Sequence, residues 1–292
     1  MKNWLGTACL SVALSLVVSQ VWADAAPGSA IHGFGDYSVK PNYITPRGLL
    51  VTDEGVTSQI LGGLVFLTSA KTSVVVGIWT DINHDPAVSS DTVGAWNEFD
   101  YFVGFNYSPS DKLKLGASYV VFLSPPGAFK TEQNIEFTAN YDDSAGGPFS
   151  FQPYAKLFWA VDGDSTVVLG DRGNTFDVEL GVTPTFKSAG GALTVTLPTW
   201  ITVGPEDYWS GGTSEEFFPT DGSNFGVAST GITLKMPAGF VPPQFGDWYL
   251  YGGVQYYYLI NDSLVDANSL TTGHEGGHDD VVNVFAGFGF GF

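Results

Sequence analysis

Val281-Val282-Asn283-Val284-Phe285-Ala286-Gly287-Phe288-Gly289-Phe290-Gly291-Phe292 is the stretch whose reading decides the fold. On an extended backbone Val282, Val284, Ala286, Phe288, Phe290 and Phe292 fall on one face. Asn283, Phe285, Gly287, Gly289 and Gly291 fall on the other. A period of two is the period of a strand. One face is uniformly apolar and the other is small or mixed. A strand ending on an aromatic, in a chain with 37 glycines and 15% aromatic residues, predicts an outer-membrane β-barrel. The core strand of a soluble sandwich is the alternative with the same alternation.

The first residues set the expected compartment. Met1, Lys2 and Asn3 make a short basic start, and Trp4 to Val21 is mostly apolar. Val21-Trp22-Ala23 places small residues at the −3 and −1 positions, so residues 1–23 are expected to be a secretory signal. Cys9 lies inside that stretch and would leave with it, which excludes a disulfide framework in the remainder. Residues 24–35 are expected to be an N-terminal periplasmic segment and 36–292 the barrel. Without Lys2 the chain has 10 Lys and Arg against 30 Asp and Glu. That balance excludes a nucleic-acid partner. No later run of about 18 apolar residues exists to form a membrane helix.

Alternation predicts an all-β, antiparallel, up-and-down transmembrane barrel of twelve strands. They are 36–45, 56–67, 73–82, 97–107, 112–123, 131–141, 150–160, 174–186, 192–203, 224–235, 247–260 and 281–292. No helical period is sustained in any window. Connections alternate between shorter and longer, the pattern of periplasmic turns and extracellular loops. In 97–107, Phe99, Tyr101, Val103, Phe105 and Tyr107 oppose Glu98, Asp100, Gly104 and Asn106. In 131–141 and 174–186 apolar residues again oppose polar ones. Tyr107, Tyr141, Phe186, Phe290 and Phe292 are expected in a periplasmic aromatic girdle, and Phe99, Tyr101, Trp159 and Trp248 in an outer one.

Tyr43-Ile44-Thr45-Pro46-Arg47-Gly48-Leu49-Leu50-Val51-Thr52-Asp53, with Gln59 and Gly62-Gly63 after it, resembles the first hairpin of the TorF family of outer-membrane porins. Val76-Gly77-Ile78-Trp79 and Glu98-Phe99-Asp100-Tyr101 resemble its next two strands. The resemblance covers roughly residues 36–125. It implies a channel, without catalytic residues or a defined substrate.

His274-Glu275-Gly276-Gly277-His278 matches the H-E-x-x-H zinc motif. That motif needs a helix to bring both histidines to one face. Two adjacent glycines oppose the helix by about 2 kcal/mol, so a solvated loop is expected, with no metal and no cofactor. Barrel lipid hydrolases need a His beside a Ser on neighbouring lipid-facing strands. His32 is expected before the first strand and His84, His274 and His278 in loops, so no enzyme is expected.

The candidate site is instead a charged lumen: Glu98, Asp100, Lys112, Lys114, Glu132, Glu136, Lys156, Asp177 and Glu179. Strand register places Lys156 near Glu136 on one side and Asp177 or Glu179 on the other. These charges either fill a plug or form a selective constriction. The expected outer loops carry 17 Asp and Glu against Arg47, Lys130 and Arg172, a rim that attracts cations. The expected function is passive diffusion of small solutes through a narrow charged lumen. A closed structural or surface-binding barrel, with Trp209, Phe217 and Phe218 folded over the mouth, is the alternative. Expected surroundings are outer-membrane lipid and lipopolysaccharide, with the barrel assembly machinery engaging the strand that ends at Phe292.

Overall fold

The computed structural model describes residues 30–53, 55–84, 96–127, 131–144, 147–162, 174–209, 223–272 and 279–292. Twelve antiparallel strands form the wall: β1 Ile31–Lys40, β2 Thr57–Leu67, β3 Thr72–Asn83, β4 Trp96–Tyr107, β5 Leu113–Leu123 and β6 Glu132–Tyr141, then β7 Pro153–Asp162, β8 Thr175–Val182, β9 Thr199–Val203, β10 Phe225–Pro237, β11 Asp247–Leu259 and β12 Asp280–Gly291. Each pairs with its neighbour in sequence, and β1 pairs with β12, so the sheet closes and leaves no edge. Turns 68–71, 108–112, 142–148, 188–193 and 238–246 lie at one rim. The strand ends at Lys40 and Thr57, Asn83 and Trp96, Leu123 and Glu132, Asp162 and Thr175, Val203 and Phe225, and Leu259 and Asp280, whose connections are generally longer, lie at the other.

The closing seam explains the glycine–phenylalanine pattern. Gly33 and Phe292 exchange backbone hydrogen bonds of 2.9 and 3.0 Å. The rings of Phe292 and Phe290 lie flat over Gly33 and Gly35 on the outward face, and a Cβ at either glycine would come within 2.6 Å of a ring carbon. Glycine on one strand makes room for an aromatic on the next, which buries apolar area where the first and last strands meet.

Three adjacent strands break at the short-turn end. Short pieces Phe149–Ser150, Thr185–Lys187 and Thr194–Thr196 pair with one another and with β10, but are offset from β7, β8 and β9. Pro153, Pro184 and Pro198 sit at the breaks and cannot donate to the ladder. The Asp143 carboxylate takes over part of the ladder's work by accepting from Phe151 N and Gln152 N at 2.9–3.0 Å. Those two donors hold its pKa low.

The first expected strand shifts. Pro41 follows Lys40, and a proline lacks the N–H a central strand needs. The strand therefore ends at Lys40 and opens at Ile31, inside the segment expected to be periplasmic. His32 is consequently a buried, inward-facing residue of β1, paired across from Val65. Tyr43–Ile44 and Leu50–Thr52 leave the wall and form a hairpin inside the barrel.

Two helices were not expected. The four-residue α1, Glu206–Trp209, and the eleven-residue α2, Asp262–Thr272, both follow the last turns of strands at the long-loop rim. Asn261 accepts from Ser263 N at 3.0 Å, the bond an N-cap makes. Leu264 is fully buried against the hairpin. No helix among the described residues is long and apolar enough to cross a membrane.

Candidate functional site

Alternation divides the wall residues into two sets. Val103, Phe105, Tyr107, Phe137, Tyr141, Phe176, Leu180, Val282 and Val284 are exposed on the outward face. On β4, Glu98 and Asp100 occupy the opposite face and are fully buried inside. Register carries that inward face round the barrel. Gln59 pairs with Asp81, Asp81 with Glu98, Asp100 with Phe122 and Phe122 with Glu132. Glu136 then pairs with Phe158, Phe158 with Asp177 and Lys156 with Glu179.

Among the described residues, seven acids are buried: Asp81, Glu98, Asp100, Glu132, Glu136, Asp177 and Glu179. The buried Lys and Arg side chains are Arg47 and Lys156. Lys156 Nζ lies 3.1 Å from Glu179 Oε1, and its ammonium sits 5.1 Å from the Tyr154 ring centre. Thr138 is its partner on the opposite strand, with Glu136 two residues along. Lys114 is half-buried on the same inward face, opposite Asn140. Lys112 is corrected: it is exposed in a turn, where Ser110 Oγ accepts from Lys112 N and Leu113 N before β5 begins. It does not line the wall.

The hairpin supplies what the sequence reading missed. Thr45 N donates to Leu49 O, Gly48 N to Thr45 O and Leu49 N to Thr45 Oγ1. Gly48 takes φ +96°, and a Cβ there would come within 2.4 Å of Val227. Only glycine combines that backbone with that closeness. The turn aims Arg47 into the acids, so Arg47 is an interior residue and no part of the loop rim. Its Nη2 lies 3.5 Å from Glu132 Oε1, and its Nη1 donates to Tyr208 Oη at 2.8 Å. Its guanidinium carbon is 6.0 Å from the ring centres of both Phe122 and Phe158. Burial opposes the charge, but Tyr208, Glu132 and Asp177 more than offset it, and the net pKa is raised. Burial likewise raises the Tyr43 and Tyr208 phenols. Tyr43 thus stays a donor, 2.8 Å from Glu98 Oε2.

Apolar residues of the hairpin complete the block. Tyr43, Ile44, Leu49, Leu50 and Val51 pack with Trp79, Phe122, Trp209, Val227 and Leu264 in one cluster. Asn268 of α2 clasps the hairpin twice. Its Oδ1 accepts from Leu50 N at 2.8 Å and its Nδ2 donates to Gly48 O at 3.0 Å. Trp209 is fully buried with its ring against Gly226. Phe217, Phe218 and the 274–278 H-E-x-x-H segment lie outside the described residues.

His84 lies just past the end of β3, outside the strands as expected, yet it reaches a serine. Ser58 Oγ is 2.7 Å from His84 Nε2 and 3.1 Å from the Tyr37 hydroxyl. Ser58 pairs with Val39 and Ile82, and so lies on the outward face.

Trp248 is also corrected. It stacks on Phe290 at 4.6 Å. Strand β11 starts from the short-turn rim, so Trp248 belongs to the same girdle as Phe290 and Phe292. Sequence alone had joined it to Trp159 at the other rim.

Neither a family model nor a curated relative matches the chain. Solved structures do. The COG4313 outer membrane channel from Pseudomonas putida F1 aligns with TM-score 0.51 and 12% identity, over 92% of this chain and 97% of its own. LpxR from Salmonella typhimurium aligns with TM-score 0.50 and 10% identity, over 88% of this chain and 99% of its own. The NanC porin aligns at 0.48 and 12%, over 89% and 99%. The chain is an outer-membrane β-barrel. In such barrels long loops are extracellular and short turns periplasmic.

Proposed function

We propose that the barrel is a channel for small solutes, held closed by the inward hairpin, with a lumen that favours cations. One observation carries the reading. Among the described residues seven buried acids face two buried Lys or Arg cations, with Lys40 and Lys114 partly buried on the same inward face. A barrel filled only for stability gains nothing from that imbalance, because acids in excess of cations cost free energy to bury in their charged form. A pathway for hydrated cations uses it. The resemblance to TorF porins supports the same reading, and its signature segment Tyr43–Asp53 includes the whole hairpin. Residues 1–23 as a secretory signal, a lipid and lipopolysaccharide surround, and assembly through the strand ending at Phe292 belong to this proposal. The test is the reversal potential in a salt gradient for the wild type and for Glu98→Gln/Asp100→Asn. Cation preference, reduced in the double variant, is expected. Anion preference, or no change, contradicts it.

A second reading, a lipid-facing hydrolase, rests on the Ser58–His84 hydrogen bond. It ranks below the channel because Ser58 is only 3% exposed. Also, among the described residues no carboxylate hydrogen-bonds His84 to orient it as a triad requires. Fatty-acid release from phospholipid vesicles that Ser58→Ala abolishes would move it to first place.

A further inference from the structure

The place Arg47 occupies has the parts of a cation receptor. It has a carboxylate at 3.5 Å, from Glu132. It has a phenol oxygen at 2.8 Å, from Tyr208. It has two aromatic walls, Phe122 and Phe158, each 6.0 Å from the guanidinium carbon. Carboxylate and aromatic faces together select planar, weakly hydrated cations over compact, strongly hydrated ones. These groups come from three wall strands and α1, whereas Arg47 comes from a hairpin with its own clasp to Asn268. Receptor and occupant are thus separate pieces of chain.

The occupant fits incompletely. Arg47 is 1% exposed, yet its Nε has no hydrogen-bond acceptor among the described residues, and its Nη2 has only the 3.5 Å ion pair with Glu132. A guanidinium offers five donors, and the tether fixes where they point. A soluble guanidinium is free to rotate and meet acceptors that the tethered one misses. Against this, the tether gives Arg47 an effective concentration on the order of millimolar or higher. A competitor therefore acts in at least that range.

We propose that this cage is a binding site for guanidinium-bearing solutes, with Arg47 as its tethered occupant, and that such a solute displaces the hairpin. The displacement step rests on the channel reading; the binding site does not.

The test uses the full barrel in detergent and in planar bilayers, with guanidinium chloride as probe and sodium chloride at equal ionic strength as control. In Arg47→Ala the cage is vacated and its acids lose their cation. Guanidinium at about millimolar concentration, far below denaturing levels, should raise the thermal unfolding midpoint by several degrees, and sodium should not. Adding Glu132→Gln should remove the rise. An equal effect of both salts, or a rise that survives Glu132→Gln, overturns the site.

Should Arg47→Ala fail to fold, Arg47→Lys keeps a cation but loses the planar fork. It should respond to guanidinium at several-fold lower concentration than the wild type, and equal response overturns the site. In bilayers, guanidinium should raise the wild-type open probability several-fold over sodium. A silent wild-type barrel whose Arg47 variants show selective stabilisation removes the channel and keeps the site. A conducting barrel without that selectivity removes the site and keeps the channel.

Discussion

The two halves of the lumen are built from opposite materials. The extracellular half is crowded by a hairpin, two helices, buried acids and Arg47. The periplasmic half is lined by glycines with rings laid over them: Phe34 on Gly63, Phe102 on Gly77, Tyr154 on Gly181, Tyr251 on Gly287 and Tyr249 on Gly289. The contrast teaches where the proposed closure would reside. Side chains of the wall narrow the inner half, whereas an inserted segment of chain fills the outer half. A wall narrowing is permanent, and an inserted segment can leave.

Substitutions at each level sharpen that difference. Arg47→Ala should have the largest effect. It breaks a buried pair and leaves Glu132 without its cation, a loss of about 3–5 kcal/mol in denaturant unfolding. Lys156→Met, which strips Glu179 of its partner, belongs to the same range. If the Lys156 group lines an open path, that variant also changes conductance. If it only fills space, stability falls while conductance stays near zero.

Val284→Arg tests the wall itself. Val284 is 53% exposed on the outward face, and an arginine near the bilayer midplane costs about 2–4 kcal/mol. Loss of heat-modifiable folded protein is expected. Normal folding would contradict the lipid-facing assignment. Gly77→Ala should cost less, about 1–3 kcal/mol, because its Cβ would meet Phe102 at 2.3 Å and Gly62 O at 2.7 Å. That loss should appear in unfolding with little change in conductance if, as proposed, the hairpin and not this ring sets closure.

The wall was legible in the sequence because lipid imposes its pattern. Outward residues must be apolar and their neighbours need not be, so β4 and β6 display their faces directly. The pairing of Lys156 beside Glu179 followed from counting back from residues 160 and 174, the strand ends that flank one of the longer connections. The interior was not legible in the same way. Tyr43-Ile44-Thr45 reads as more strand, and only Pro41 signalled that the wall had ended. Arg47 looked like a loop charge because nothing local shows that a turn points inward. Its clue was Gly48, the residue that a left-handed turn pressed against Val227 requires. Helix Asp262–Thr272 carried an N-cap signal at Asn261, but its short, mixed sequence gives no sustained apolar stripe. Ser58 and His84 meet through strand register, 26 residues apart, so neither residue type nor spacing marks them.

Single-channel current in planar bilayers tests the central claim most directly, comparing the wild type with a barrel whose residues 43–52 are replaced by a short Gly–Ser turn. The account predicts a mostly closed wild type and a variant with a larger, cation-selective conductance. Equal conductance in the two, or none in either, would contradict it.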